Sequence, residues 1–164
     1  MISVSQARAI ILENAKPLSV EGVALGAALG RTLRETIVAS RAQPPFTASA
    51  MDGYAVRGAD TPGVLRVIGE SGAGRALKRA LQQGEAARIF TGAPLPEGAD
   101  AVLIQEDAQR DGDTVTAPEV SAGRHVRRAG VDFESGAILL ETGRILDGGP
   151  VALAAAAGRA HVRV

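Results

Sequence analysis

Three stretches of the chain carry side chains able to do chemistry. Asp52 lies in Pro44-Pro45-Phe46-Thr47-Ala48-Ser49-Ala50-Met51-Asp52-Gly53-Tyr54, where two prolines end any regular element and an Asp-Gly turn precedes an alternating run. Its carboxylate either bonds its own downstream backbone, as aspartate does in turns, or stands at the mouth of a site. Thr91 follows the apolar Ile89-Phe90 and opens into Gly92-Ala93-Pro94-Leu95-Pro96. A threonine there is an ordinary strand-end residue, or it presents its hydroxyl and the Gly92 amide to a ligand. In Arg124-His125-Val126-Arg127-Arg128-Ala129-Gly130-Val131-Asp132, three arginines and a histidine precede a carboxylate. That cluster is either a solvated strand face or, turned to a cleft, fixed positive charge for an oxyanion. Carboxylates and hydroxyls are also the oxygen donors that hard cations prefer.

The elements that must position these groups are short. Ser3 and Gln6 form a capping-box pattern, and Val4, Ala7, Ile10 and Ile11 fall on one face, predicting a helix over about 4–15 that Pro17 stops. Its apolar side reads as packed on its own core. Residues 20–25 and 36–39 suit short strands, with a brief helical turn between them. Alternating runs at 64–68, 86–90, 101–104 and 114–117 lie between turn clusters such as Thr61-Pro62-Gly63 and Asp111-Gly112-Asp113, which predicts a β-rich region. Gly69 to Gly74 lacks the lysine and hydroxyl of a phosphate-binding loop and reads as a hairpin loop. Residues 136–140 suit a strand. Asp147 as N-cap, Pro150 in the first turn and Gly158 as terminator frame a short buried helix.

Composition removes several classes of function. At 164 residues with 18 basic and 18 acidic side chains, the chain has no general nucleic-acid or membrane surface, so any anion site must be local. Without cysteine there is no disulfide framework, thiolate ligation or thiol catalysis. His125 and His161 are too few for a histidine-rich zinc centre. The N-terminal residues do not read as a secretory leader, and no apolar run is long enough to cross a bilayer. The expectation is a soluble, cytoplasmic protein.

Ser49-Ala50-Met51-Asp52-Gly53-Tyr54-Ala55 resembles a signature of the molybdopterin molybdenumtransferase family, MoeA in bacteria and the E domain of gephyrin in animals. Thr91-Gly92-Ala93-Pro94-Leu95-Pro96 followed by Gly98-Ala99-Asp100-Ala101-Val102 resembles a second signature, in the right order. Arg128-Ala129-Gly130-Val131-Asp132 is similar to a third, although Val131 stands where many members have a polar residue.

The resemblance implies an α+β fold. A β-rich domain at 46–133 would be inserted into a small mixed helix/strand domain built from 1–45 and 134–164. It implies transfer of molybdenum from molybdate to the dithiolene of adenylylated molybdopterin, with AMP release and a magnesium requirement. Asp52, Thr91 and Asp132 would be catalytic, with Asp52 and Asp132 as metal ligands and Thr91 bonding an oxyanion. Ser49, Met51, Gly92 and Arg128 would bind substrate. The implied partners are a second copy of the chain sharing the site in a homodimer and molybdopterin adenylyltransferase upstream. Family members continue past the equivalent of Val164 into a large α/β domain and a further β domain, so the expectation is a front portion, inactive by itself, whose N-terminal helix faces a missing domain. The alternatives are a noncatalytic scaffold or interaction module and a magnesium-dependent phosphoester hydrolase.

Overall fold

A computed structural model describes residues 2–164. In chain order the elements are α1 (Val4–Asn14), β1 (Gly22–Ala24), β2 (Ile37–Val38), β3 (Ala48–Ser49), β4 (Gly53–Val56), β5 (Gly63–Ser71), β6 (Glu85–Ile89) and β7 (Ala101–Ile104). They continue with β8 (Gln109–Asp111), β9 (Thr114–Ala117), β10 (Val126–Arg127), β11 (Ile138–Leu140), α2 (Gly148–Ala156) and β12 (His161–Arg163). The fold is α+β, and the chain divides into two units, one of residues 39–137 and one of the flanking segments up to 38 and from 138.

The flanking segments make their own core. β1 pairs antiparallel with β12, setting Val23 opposite Val162, and β2 pairs antiparallel with β11, setting Val38 opposite Ile138. Leu25, Leu33, Ile37, Leu140, Leu146, Ala154 and Val162 form the buried cluster. α2 begins where Asp147 accepts from the Gly149 amide at 3.1 Å. It ends in a Schellman arrangement: Gly158, at φ +84°, donates to Ala155, and Arg159 donates to Ala154.

α1 starts with the predicted capping box. The Ser3 amide donates to Gln6 Oε1 at 2.9 Å, and the Gln6 amide donates to Ser3 Oγ at 3.2 Å. Contrary to the local reading, the helix is not packed into the core of its unit: none of its residues is buried, and Val4, Ile10, Ile11 and Leu12 are exposed.

The unit of residues 39–137 is built on a six-stranded mixed sheet of order β7-β4-β6-β5-β9-β8. All four residues of β4 are buried, because alternate side chains feed two cores. Tyr54 and Val56 join Leu65, Ala86, Leu103 and Val115 in one cluster, while Ala55 joins Ala87, Ile89 and Val102 in the other. Gly53 must be glycine, since a Cβ there would lie 1.9 Å from the Leu103 carbonyl oxygen. The glycine-rich segment is not a hairpin between β5 and β6. β5 runs on through Ser71 and β6 lies parallel to it, so residues 72–84 cross over, with a small turn closed by mutual backbone bonds between Gly72 and Arg75.

Candidate active site

The site residues hang on β3, which has a neighbour on each side. Along one, Ser49 donates to the Ala93 carbonyl and accepts from the Gly92 amide at 2.9 Å. Along the other, β10 pairs antiparallel, placing Val126 opposite Ser49 and Arg127 opposite Ala48. Ser49 is buried, and its hydroxyl donates to the Met51 carbonyl at 2.5 Å, drawing the chain into the turn that carries Asp52. The carbonyl of His125, which adopts φ +54°, accepts from the Ala50 amide at 2.9 Å. Met51 itself is exposed.

Asp52 and Thr91 are brought together from either end of this arrangement. Phe90 to Ala93 form a turn closed by the Ala93 amide on the Phe90 carbonyl, with Gly92 at φ +79° in the position where type II turns require positive φ. The turn aims the Thr91 amide at Asp52 Oδ1, at 2.7 Å, and the Thr91 hydroxyl donates to the same oxygen at 2.8 Å. Asp52 Oδ2 takes no hydrogen bond from a described residue. The Thr91 amide first, then its hydroxyl, then the charge of Arg88 hold the Asp52 carboxyl below the usual carboxylate range, against an opposing desolvation effect.

This geometry alters the part expected of Thr91. Both its donors are committed to Asp52, and the Gly92 amide is committed to Ser49, so in this arrangement neither residue has a backbone or hydroxyl donor left for an oxyanion. The site offers an acceptor, a fixed carboxylate oxygen, instead of an oxyanion hole.

Asp132 belongs to a different contact. Arg127 Nη2 donates to both of its oxygens, at 2.9 and 2.8 Å, and both side chains are about half exposed. A pair so exposed contributes no more than about 1 kcal/mol. Gly130, at φ +75°, turns the chain between them, and the Asp132 amide donates to the Gln43 carbonyl. Arg128, chosen from sequence as the substrate-binding arginine, instead lines an open hollow of about 460 Å³ with Thr47, Leu95, Asp100 and Val126, to which Asp52, Thr91 and Asp132 do not contribute. Among the described residues no three His, Asp or Glu are grouped so as to hold a metal ion. Asp52 and Asp132 therefore provide no magnesium ligand set by themselves, and Asp132 presents both oxygens to an arginine.

Sequence reasoning missed Arg88 and Gln105. Arg88 is directly opposite Tyr54 on the β4–β6 ladder, with its guanidinium 5.3 Å from the Tyr54 ring centre and 4.8 Å from that of Phe90. It donates to the Gly53 carbonyl at 3.1 Å and to Gln105 Oε1 at 2.8 Å. A lone arginine inside the apolar run Ala86-Ala87-Arg88-Ile89-Phe90 was the available signal.

Comparison with known proteins places this arrangement. Residues 2–158 match the family model described as the MoeA N-terminal region (domain I and II). "Molybdopterin molybdenumtransferase 2" of Mycobacterium tuberculosis (strain CDC 1551 / Oshkosh) is 37% identical over 172 residues, spanning 100% of this chain and 42% of that protein. "Molybdopterin molybdenumtransferase" of Haemophilus influenzae is 38% identical over 168 residues, spanning 99% of this chain and 42% of its own length. A crystal structure of the molybdopterin biosynthesis moeA protein from Pyrococcus horikoshii OT3 superposes with a TM-score of 0.91 at 36% identity, over 98% of this chain and 45% of that one. The chain thus spans less than half the length of these relatives. With two signature turns meeting at Asp52 and Thr91 and a family match over nearly every residue, the chain belongs to the MoeA N-terminal family.

Proposed function

We propose that this chain supplies one wall of a site for molybdenum cofactor biosynthesis, in which molybdenum from molybdate is inserted into adenylylated molybdopterin and AMP is released. The names of the relatives support the reaction class. The observation that carries the reading is the Asp52–Thr91 pair, in which one carboxylate oxygen takes two hydrogen bonds and the other takes none from a described residue. Such a group is held ionised and aimed, so Oδ2 can take the proton of a water whose oxygen bonds to the adenylate phosphorus as the phosphorus–oxygen bond to the pterin phosphate breaks and AMP is released. Thr91 acts through Asp52 by fixing that aim. Arg127 lies on β10, the second neighbour of β3, and holds Asp132 from the loop that follows, so that Asp132 is freed for substrate once its arginine turns to an oxyanion. A homodimer sharing the site, delivery of the adenylylated pterin by molybdopterin adenylyltransferase, a magnesium requirement and a cytoplasmic setting complete the reading on family resemblance. No described helix is long and apolar enough to cross a membrane.

The test is a chimera in which residues 2–158 replace the corresponding segment of the Haemophilus influenzae relative. The chimera is expected to transfer molybdenum from molybdate to adenylylated molybdopterin, and the 164-residue chain alone to be inactive. Asp52→Asn keeps an acceptor for both Thr91 donors, so it should leave folding intact and lower kcat by roughly a hundredfold. A chimera unaffected by Asp52→Asn would leave this chain an architectural role only.

A further inference from the structure

Arg88 is placed as no simple sheet residue needs to be. The chain has one tyrosine and three phenylalanines, and two of these rings lie within cation–π reach of this one guanidinium. A planar cation over two aromatic rings is held in position by both. Its two donating nitrogens reach different strand ends: Nη1 the Gly53 carbonyl at the start of β4, Nη2 the Gln105 side chain just beyond β7. Gln105 closes the circuit, because its amide donates to the Asp52 carbonyl at 3.0 Å. The carbonyls of Asp52 and Gly53, consecutive in the turn that bears the carboxylate, are thereby both held by one connected set of bonds.

We propose that Arg88 is a positioning residue, whose guanidinium, in cation–π contact with Tyr54 and Phe90, braces the Asp52-Gly53 turn through Gly53 and Gln105 and so fixes where the Asp52 carboxylate points. The proposal rests on the reading of Asp52 as the working acceptor of the site. Neither of its parts is supplied by a lysine, which keeps the charge but offers one nitrogen in place of a planar fork. The turn also sits close against β7, where a Cβ on Gly53 would lie 1.9 Å from the Leu103 carbonyl oxygen.

Amide hydrogen exchange in the 164-residue chain tests the brace. In Arg88→Lys and Arg88→Gln, the Thr91 and Gln105 amides, which donate to Asp52, are expected to exchange roughly tenfold faster. The Arg66 and Val67 amides, which donate to Gly84 and Asp113 in the same unit, should stay within about twofold of the parent, a contrast that global destabilisation would erase. In the chimera, Arg88→Lys should lower kcat about tenfold with KM nearly unchanged, as loss of aim without loss of binding requires. Unchanged exchange at Thr91 and Gln105, uniform acceleration at all four amides, or an unchanged kcat would each overturn the proposal. Full activity of the Asp52→Asn chimera would instead remove the functional reading, and the exchange contrast would then decide the brace by itself.

Discussion

Glu85 contributes a pH-dependent part of the stability of the larger sheet. Its carboxylate is 7% exposed and meets Arg66 at 2.8 Å, Arg79 at 2.9 Å and the Gln82 amide at 3.0 Å. Arg79 first, then the Gln82 amide, outweigh burial and, with Arg66, lower its pKa from 4.5 to about 2. A folded-state pKa below the unfolded one means stabilisation that is fully present above pH 4.5 and lost as the pH falls toward about 2. Glu85→Gln should therefore lower Tm at pH 7 and flatten its decline across that acid window. Melts of the two proteins at matched pH values check this, and parallel Tm curves would refute it. Glu85 also ties the crossover to the sheet, since Arg79 lies in residues 72–84 and Arg66 on β5. At the same scale, the site was half legible. Asp52 and Thr91 could be named because their signature residues lie close around them in sequence. Their mutual hydrogen bonds could not, because the direction in which Thr91 spends its donors depends on a turn set by Gly92. Arg88 escaped notice because its partners Tyr54, Gly53 and Gln105 lie elsewhere in the sequence, and the ion pair of Arg127 with Asp132 was not legible because Arg128 opens the motif that resembles the family's.

Helix α1 depends on its cap more than on its neighbours. Its apolar side chains are exposed, so tertiary packing, the usual source of helical stability, contributes little to an element of 11 residues. Ser3→Ala removes the oxygen that satisfies the Gln6 amide and costs about 1 kcal/mol of helix stability. The expected outcome is loss of helical Cα chemical shifts across Val4–Asn14 with the cooperative melt of the rest unmoved. A matching drop in Tm would mean that the helix is packed after all. That helix was readable because its signals, the Ser3/Gln6 pair and Pro17, are local. So were the strands with clean alternation and flanking turns: β7 and β9 have the predicted bounds, and α2 has the predicted cap and terminator. β8 was not, because Gln109–Asp111 is exposed, polar and paired only through β9, and β10 offered only a strand face without bounds, because Val126–Arg127 is two residues long and paired only with β3. The parallel pairing of β5 with β6 was hidden for a related reason: a crossover without a helix looks, in sequence, like a long hairpin loop.

One strand pairing and the backbone hydrogen bond beside it locate where the chain passes from one unit to the other. Val38 faces Ile138 across the β2–β11 ladder, inside the unit of flanking segments. One residue further on, the Ala39 amide donates to the Ala137 carbonyl at 2.9 Å, inside the other unit. Each unit thus closes its own chain ends with its own antiparallel contact, and each has its own buried cluster, Leu33, Ile37 and Leu146 in one and Val56, Leu65 and Val115 in the other. A segment whose ends are already paired loses little loop-closure entropy on being excised, and a gap between paired strands can be bridged by a two-residue turn. Residues 39–137 expressed alone should give a dispersed amide spectrum and a single cooperative melt. The flanking segments, joined by Asn-Gly between Val38 and Ile138, should also fold, with the β1–β12 and β2–β11 pairings retained as cross-strand nuclear Overhauser effects. The isolated 39–137 segment should keep the Thr91 amide bonded to Asp52 and hence slow to exchange, since every partner named for that site lies within it. Collapse of the segment to a state without fixed tertiary signals would show that its stability is borrowed from the flanking unit. Retention of fold with loss of Thr91 protection would show that the carboxylate is aimed from outside the sheet that carries it.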